Sequence, residues 1–279
     1  MSEPPSPAPA VRERTLAKTF TRRQPTRTVT AVAPYAGQVA VLDLLLGELI
    51  AEQWATVVIY DWTVPDVLAH LSATDSLLAA GIGLDDPGVP GESLDARTDR
   101  FVAEARSHPP ALTWAAWRAR AAELCRHLAD GGAALAARPV EIAGRRLPAG
   151  AHAVGRAFET WIHARDIAVR LAIGPPRPSV AHLNAMAGLA VDLLRRPLGR
   201  IGSIRLALSG PGGGDWLIPA DAPPCADAAR PDAGVTLDVL DFCLIAAGRL
   251  DAAAATVQVT GDPDVAAAVL AAVPTLAGR

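Results

Sequence analysis

Residues 156–167 read RAFETWIHARDI, an apolar helical pattern that carries a carboxylate and an imidazole on one side. With about 100° of rotation per residue, Glu159 and His163 lie about 40° apart on one helical face, and Asp166 and Arg170 continue the same stripe. Spacing leaves two interpretations open. Either the stripe faces the core and binds a partner such as a metal ion, or it is a solvated face with Glu–His and Asp–Arg pairs.

A second stretch, residues 62–71 (WTVPDVLAHL), has the signals of a helix N-terminus. Thr63 is a favourable N-cap, Pro65 is tolerated in the first turn, and Asp66 supplies the acidic partner of a capping box. The helix is therefore expected to begin after Thr63 and to continue to Gly81.

His70 shares the face of this second helix that carries Leu71 and is expected to point into the core. A histidine in that position is either a core residue with satisfied ring nitrogens or a ligand. Together with Glu159 and His163 it would supply two nitrogens and one oxygen, the donor set of catalytic zinc sites that leave a fourth position open. His152 is on the Glu159 stripe but near the helix start, and we leave it out of this set.

The hydrophobic pattern divides the 279 residues into three segments. Residues 1–35 are rich in Pro, Arg, Thr and Ser and are expected to form a flexible tail. Helical periodicity from residue 36 to 198 predicts an antiparallel helical bundle, which offers sites in its core. From residue 199 to 279 the period changes, and the order β-β-β-α-β-α predicts a small α+β domain. Within the bundle, the expected helices cover residues 39–51, 64–81, 96–108, 110–130, 152–171 and 179–194.

Composition excludes several classes of function. A net charge of -3 and a pI near 6.1 do not favour nucleic acid as a partner. No apolar run approaches the roughly 20 residues of a membrane span, and the N-terminus lacks the order of a secretory signal, so a cytoplasmic protein is expected. The cysteines Cys125, Cys225 and Cys243 are odd in number and widely spaced, which argues against disulfides and against a thiolate zinc site.

Residues 62–71 and 156–167 together resemble the paired motifs of the mycothiol-dependent maleylpyruvate isomerase family, within the DinB-like superfamily. Residues 247–249 (AGR) and 259–262 (VTGD) resemble the smaller domain of that family, so the resemblance covers nearly everything after the tail. It implies a DinB-like antiparallel four-helix bundle followed by a small α+β, sterol-carrier-like domain.

The same resemblance implies a divalent metal, usually zinc, with His70, Glu159 and His163 matching the family's ligands. Arg249 matches the arginine that the smaller domain sends toward the active site, where it could anchor a carboxylate of the substrate or cofactor. Mycothiol is the implied cofactor, with its sulfur in the fourth metal position. Asp166 either orients a ligand histidine or pairs with an arginine on its own helix.

A thiol bound to a divalent metal loses its proton and becomes a thiolate. Two reactions share that thiolate: S-transfer or S-conjugation to a small electrophilic substrate, and the cis–trans isomerisation of maleylpyruvate. We favour S-transfer or S-conjugation, because the family has more members than that single catabolic step can account for. A third interpretation is a metal-binding or ligand-binding protein without turnover, because fold does not fix function.

Overall fold

The computed structural model describes residues 26, 28–89, 91–221 and 231–276. The chain separates into two compact units, Met1–Pro178 and Ser179–Arg279. The helix expected at residues 179–194 belongs to the second unit, because it packs against a strand and two helices there. The division therefore lies earlier in the chain than the expected boundary between residues 198 and 199.

Helices dominate the described part of the first unit, joined by two short hairpins. In chain order the elements are α1 (Ala33–Gly47), β1 (Val57–Ile59), β2 (Trp62–Thr63), α2 (Val64–Ile82), α3 (Leu94–Arg106), α4 (Pro110–Asp130), α5 (Gly132–Ala137), β3 (Pro139–Ile142), β4 (Arg145–Pro148) and α6 (Ala149–Arg170). Helix α1 packs against α4 and α6, and α2 packs against α3, α4 and α6. The four long helices α1, α2, α4 and α6 thus surround a shared apolar core. Its largest fully buried side chains include Trp117, Trp161, Tyr35, Leu42, Leu45, Leu68, Leu71 and Leu124.

Helix α2 begins where the capping signals predict. The backbone N–H and the hydroxyl of Thr63 each donate to Oδ2 of Asp66 over 2.9 Å. Nε of Arg106 donates to the other oxygen of Asp66 over 3.1 Å, which ties the end of α3 to the start of α2. The helix ends at Ile82 because Gly83 takes a left-handed conformation, with φ of 95°.

The first helix begins earlier than the sequence indicates. A 3-10 turn at Thr30–Val32 leads directly into α1 at Ala33, and Val32 and Tyr35 have no exposed surface. Pro34 in the first turn is compatible with the helix, because the proline lacks only an N–H that has no helical partner there. Residues 30–35 thus belong to the helical unit, contrary to the expected tail of residues 1–35. The rest of that tail, residues 1–25 and 27, lies outside the described residues.

The segment Thr30–Gly47 is the one described helix that is long and apolar enough to cross a membrane. In the folded protein, 67% of this segment is buried, which is the usual condition of a core helix.

The two hairpins have no counterpart in the sequence-based prediction. Their strands contain two to four residues, which is too short for an alternating pattern to be recognised. In the hairpin of β3 and β4, Ala143 and Gly144 both have positive φ, 49° and 74°, as a two-residue type I′ turn requires.

The second unit contains a four-stranded mixed sheet and three helices among its described residues. Its elements are α7 (Val180–Gly199), β5 (Ile204–Ser209), β6 (Gly214–Ile218), β7 (Ala233–Asp238), α8 (Val239–Ala246), β8 (Gln258–Gly261) and α9 (Pro263–Ala272). The strand order is β6-β5-β7-β8, with β5 and β7 parallel and the other pairs antiparallel. After α7, the element order agrees with the predicted β-β-β-α-β-α. Cys125 and Cys243 are free and buried, whereas Cys225 lies outside the described residues.

Candidate metal centre

Three side chains from two packed helices converge inside the first unit. His70 comes from α2, and Glu159 and His163 come from α6. Each offers one ligand-type atom, and these atoms all lie within 4.8 Å of one another. Nε2 of His70 is 2.5 Å from Oε1 of Glu159, and the two imidazole rings have centroids 5.3 Å apart. The structure thus brings together the three residues that the sequence proposed as ligands.

The ring of His70 is held from two sides. Nδ1 lies 3.4 Å from the hydroxyl oxygen of Thr98 on α3, and the indole of Trp62 lies against the ring with centroids 5.0 Å apart. Trp62 itself packs on a small apolar cluster between α2 and α3. These contacts fix the ring plane, so that Nε2 faces α6 and Glu159.

His163 is almost fully buried, with 6% of its surface exposed. Burial lowers the pKa of its imidazole, and the nearby His70 lowers it further, while Asp166 and Glu159 oppose the shift. Nδ1 of His163 lies 3.3 Å from Oδ2 of Asp166. The neutral imidazole that results is the form that binds metal ions.

Glu159 stays ionised in spite of its surroundings. Burial raises the pKa of its carboxyl, but the guanidinium of Arg156 together with His70 and His163 outweighs that effect and holds the pKa well below its usual range. Arg156 donates from Nη1 to Oε2 of Glu159, which leaves Oε1 directed at His70. The carboxylate thus offers one oxygen to the space between the two histidines.

This donor set fits a divalent metal that keeps one position open. Two imidazole nitrogens and one carboxylate oxygen make up the ligand set of many catalytic zinc sites. An ion pair between His70 and Glu159 alone would account for two of the three residues. The second inward imidazole, His163, has no role in such a pair, whereas a shared metal ion would use all three residues.

Sequence reasoning missed a buried ionic network next to the trio of His70, Glu159 and His163. Nε of Arg156 donates to Oδ1 of Asp75 over 2.7 Å, and the hydroxyl of Tyr35 donates to Oδ2 of Asp75 over 2.7 Å. Asp75 and Tyr35 have no exposed surface, and Arg156 has 7%. Arg156 stands three residues before Glu159, on the same helical face, and this spacing was the available signal. Its pairing with Asp75 joins α6 to α2 across 81 residues and is invisible in a single sequence.

The other residues singled out in the sequence lie in different settings. Asp166 lies beside His163, at the distance given above, while Arg170 donates to the carbonyl of Val57 over 3.0 Å. His152 is within 3.0 Å of the carbonyl oxygen of Val140, away from the trio, and burial lowers its pKa.

Arg249 belongs to the second unit and is half-buried, with Nη1 donating to the carbonyl of Ala247 over 2.8 Å. It follows Gly248, whose positive φ of 67° ends α8 and allows the N–H of Arg249 to bond the carbonyl of Leu244 over 2.8 Å. The backbone at Arg249 is thus fixed by a helix C-terminus, and its role at the active site stays a prediction.

Comparison with known proteins gives a family and a fold. Residues 35–168 match the family model described as the mycothiol maleylpyruvate isomerase N-terminal domain. The chain is similar to a crystal structure of the mycothiol-dependent maleylpyruvate isomerase, with 18% identity and a TM-score of 0.54, over 82% of this chain and 91% of that one. A histidine-to-alanine mutant of that enzyme matches with 17% identity, a TM-score of 0.54 and the same coverage. At such identities the structural similarity shows the fold alone. Comparison with curated protein sequences gives no match.

Proposed function

Because this chain belongs, through residues 35–168, to the mycothiol maleylpyruvate isomerase family, we propose that it is a metal-dependent enzyme that activates mycothiol or a related small thiol. The thiol is transferred or conjugated through its sulfur to a small electrophilic substrate, and the metal is zinc. The observation that carries this proposal is the convergence of His70, Glu159 and His163. In this proposal α1, α2, α4 and α6 are the DinB-like antiparallel four-helix bundle, and the second unit corresponds to the sterol-carrier-like domain.

The surroundings of the trio support this chemistry. When bound, a divalent metal lowers the pKa of a thiol at its open position and holds it as a thiolate. The chain supplies a neutral imidazole at His163 and an ionised carboxylate at Glu159, which are the protonation states that metal binding requires. Oδ2 of Asp166 lies 3.3 Å from Nδ1 of His163, from where it would keep the proton on Nδ1 and leave Nε2 for a metal.

Arg249 is proposed to anchor a carboxylate of the substrate or of the thiol cofactor, because its guanidinium can donate two parallel hydrogen bonds. This role is taken from the family resemblance. The proposed partners are a small-molecule thiol and a small electrophile in the cytoplasm, without nucleic acid or a membrane.

A second candidate function, the isomerisation of maleylpyruvate, is favoured by the name of the matched family. It would use the same thiolate, with the metal held by His70, Glu159 and His163. A binding protein without turnover is the third candidate and would use the same three ligands.

Thiol binding to cobalt-substituted protein tests the proposal. We expect mycothiol to change the visible spectrum of the Co²⁺ protein and to add a sulfur-to-metal charge-transfer band. Mycothiol with a methylated sulfur serves as the control and is expected to leave the spectrum unchanged. A spectrum that does not respond to mycothiol would contradict thiol activation.

Product analysis then separates the candidate reactions. Incubation with mycothiol and maleylpyruvate yields fumarylpyruvate if the protein is the isomerase. If it is a transferase, a model electrophile such as 1-chloro-2,4-dinitrobenzene is converted to its mycothiol conjugate and maleylpyruvate is unchanged. Thiol binding without either product favours the binding protein.

A further inference from the structure

Arg156 is buried between the two helices that carry the proposed ligands. Its Nε donates to Asp75 on α2 over 2.7 Å, and its Nη1 donates to Oε2 of Glu159 on its own helix. Nη2 reaches the carbonyl oxygen of Leu71, one residue after His70, at 3.4 Å. One planar guanidinium thus contacts both helices within the trio's immediate surroundings, and this fixes its orientation.

Asp75 in turn is fixed by a second donor. Its Oδ1 accepts from Arg156 and its Oδ2 accepts from the hydroxyl of Tyr35 on α1, both over 2.7 Å. All three side chains lie in the core, so their hydrogen bonds are protected from water and their geometry is closely determined. The chain of contacts Tyr35–Asp75–Arg156 ends on a single atom, Oε2 of Glu159.

We propose that Arg156, held by Asp75 and Tyr35, is a positioning residue that reserves Oε2 of Glu159 and so keeps Glu159 a one-oxygen ligand. This inference rests on the proposed function. Carboxylates bind metals through one oxygen or through both, and a two-oxygen Glu159 would occupy the position that a thiol needs. With Oε2 bonded to Arg156, Oε1 is the oxygen of Glu159 that faces His70. The network thereby preserves the open coordination position.

The coordination of Co²⁺ provides a readout that does not depend on turnover. Four-coordinate Co²⁺ absorbs visible light strongly, whereas sites with more ligands absorb weakly. Arg156→Lys keeps the charge but lacks the planar fork that serves Asp75 and Glu159 together. The double variant Arg156→Met with Asp75→Asn removes the fork without leaving Asp75 as an unpaired buried charge.

For both variants we expect the visible absorption of the Co²⁺ protein to fall about twofold or more and the Kd for mycothiol to rise about tenfold, the scale of effects from groups that orient metal ligands. The Kd for Co²⁺ itself is expected to change less than the Kd for mycothiol, because the lost hydrogen bond is replaced by a second metal–oxygen contact. Arg126→Met, at an exposed position of α4, is the control and is expected to match the wild type.

Tyr35→Phe tests the far end of the network with the loss of one hydroxyl. We expect a smaller rise in the Kd for mycothiol, of about threefold. Tyr60→Phe makes the same change at an exposed tyrosine and is expected to have no effect. Wild-type protein whose spectrum responds to mycothiol, together with variants whose spectra and mycothiol affinities equal those of wild type, would overturn this inference alone. If wild-type protein binds no Co²⁺ or ignores mycothiol, the proposed function itself fails.

Discussion

At the scale of single residues, the orientation of His70 depends on Thr98 and Trp62, which are not among the three proposed ligands. The hydroxyl of Thr98 lies 3.4 Å from Nδ1, a long contact, and the indole of Trp62 limits rotation of the ring. Such partners select the tautomer and the ring plane of a ligand histidine. The contribution of Thr98 can be separated from that of Trp62, because valine has the shape of threonine without the hydroxyl.

Thr98→Val is expected to weaken metal binding by about tenfold, the lower end of effects from such partners, because the contact is long. Competition with a chromophoric chelator measures the Kd for Zn²⁺. Thr236→Val, in the second unit, is the matched control and is expected to retain the wild-type Kd. Equal Zn²⁺ affinity in both variants and in the wild type would show that Thr98 does not orient His70.

The sequence predicted the three candidate ligands but not the residues that hold them. Helical spacing puts Glu159 and His163 on one face, and the motif at residues 62–71 added His70. The contact between Arg156 and Asp75 depends on how two helices pack, and packing is not encoded in the spacing of either helix. Periodicity alone could identify a polar residue on an apolar face, but not its partner.

At the scale of elements, a charged clamp fixes the loop between α2 and α3. Nε and Nη2 of Arg100 donate to the two oxygens of Glu92, each over 2.9 Å. These bonds lower the pKa of Glu92 to about 2, together with the backbone N–H of Val89 and against the effect of burial. Because the folded-state pKa is depressed, the stability that Glu92 contributes is complete above its usual pKa and is lost as the pH falls toward 2.

We therefore expect Glu92→Gln to flatten the fall in the free energy of unfolding between about pH 4.5 and pH 2. Urea unfolding of the metal-free protein at a series of pH values measures this slope. Glu123→Gln, on the exposed side of α4, is the control and is expected to keep the wild-type slope. An unchanged slope in Glu92→Gln would contradict the clamp.

The end of α2 offers a test of backbone conformation without side-chain contacts. Gly83 has φ of 95°, and a methyl group added there would meet nothing within 4 Å. Gly83→Ala is expected to destabilise the protein by about 1 kcal/mol, solely through left-handed strain. Gly47→Ala, at the helical end of α1, is expected to be neutral or slightly stabilising. Urea unfolding measures the free energy of unfolding of the two variants, and equal values would contradict left-handed strain as the cause.

The helices and strands were predictable where the sequence contains residues that mark the beginning or end of an element. Thr63 and Asp66 mark the start of α2, and the order of elements in the second unit followed from a change of period. The start of α1 was misplaced because Pro34 and the residues around it lack a clear pattern, although Tyr35 is fully buried. The hairpins were missed because strands this short are specified by turns and packing.

At the scale of the whole molecule, all three candidate ligands belong to the first unit. The four long helices that form its core also lie there, so every proposed ligand is supplied by the first unit. A fragment of residues 26–178 is expected to bind about one Zn²⁺ per chain, the content also expected of the full chain. Metal analysis of the gel-filtered fragment, checked for helical content by circular dichroism, measures this. A helical fragment without metal would show that the second unit contributes to the site.

The boundary between the units illustrates what the sequence leaves undetermined. Helix α7 has a pattern that suits either unit, and only its packing on β6, α8 and α9 assigns it to the second. Local sequence patterns do not distinguish the last helix of one unit from the first helix of the next.

The most direct test of the central claim is the metal content of the purified protein and of His163→Ala, measured by inductively coupled plasma mass spectrometry. We expect about one zinc per wild-type chain and roughly a tenth of that or less in His163→Ala, because a site left with two protein ligands binds zinc weakly. His152→Ala, which removes a half-buried histidine outside the trio, is expected to retain the wild-type content. Wild-type protein without stoichiometric metal, or His163→Ala with an unchanged content, would contradict the account.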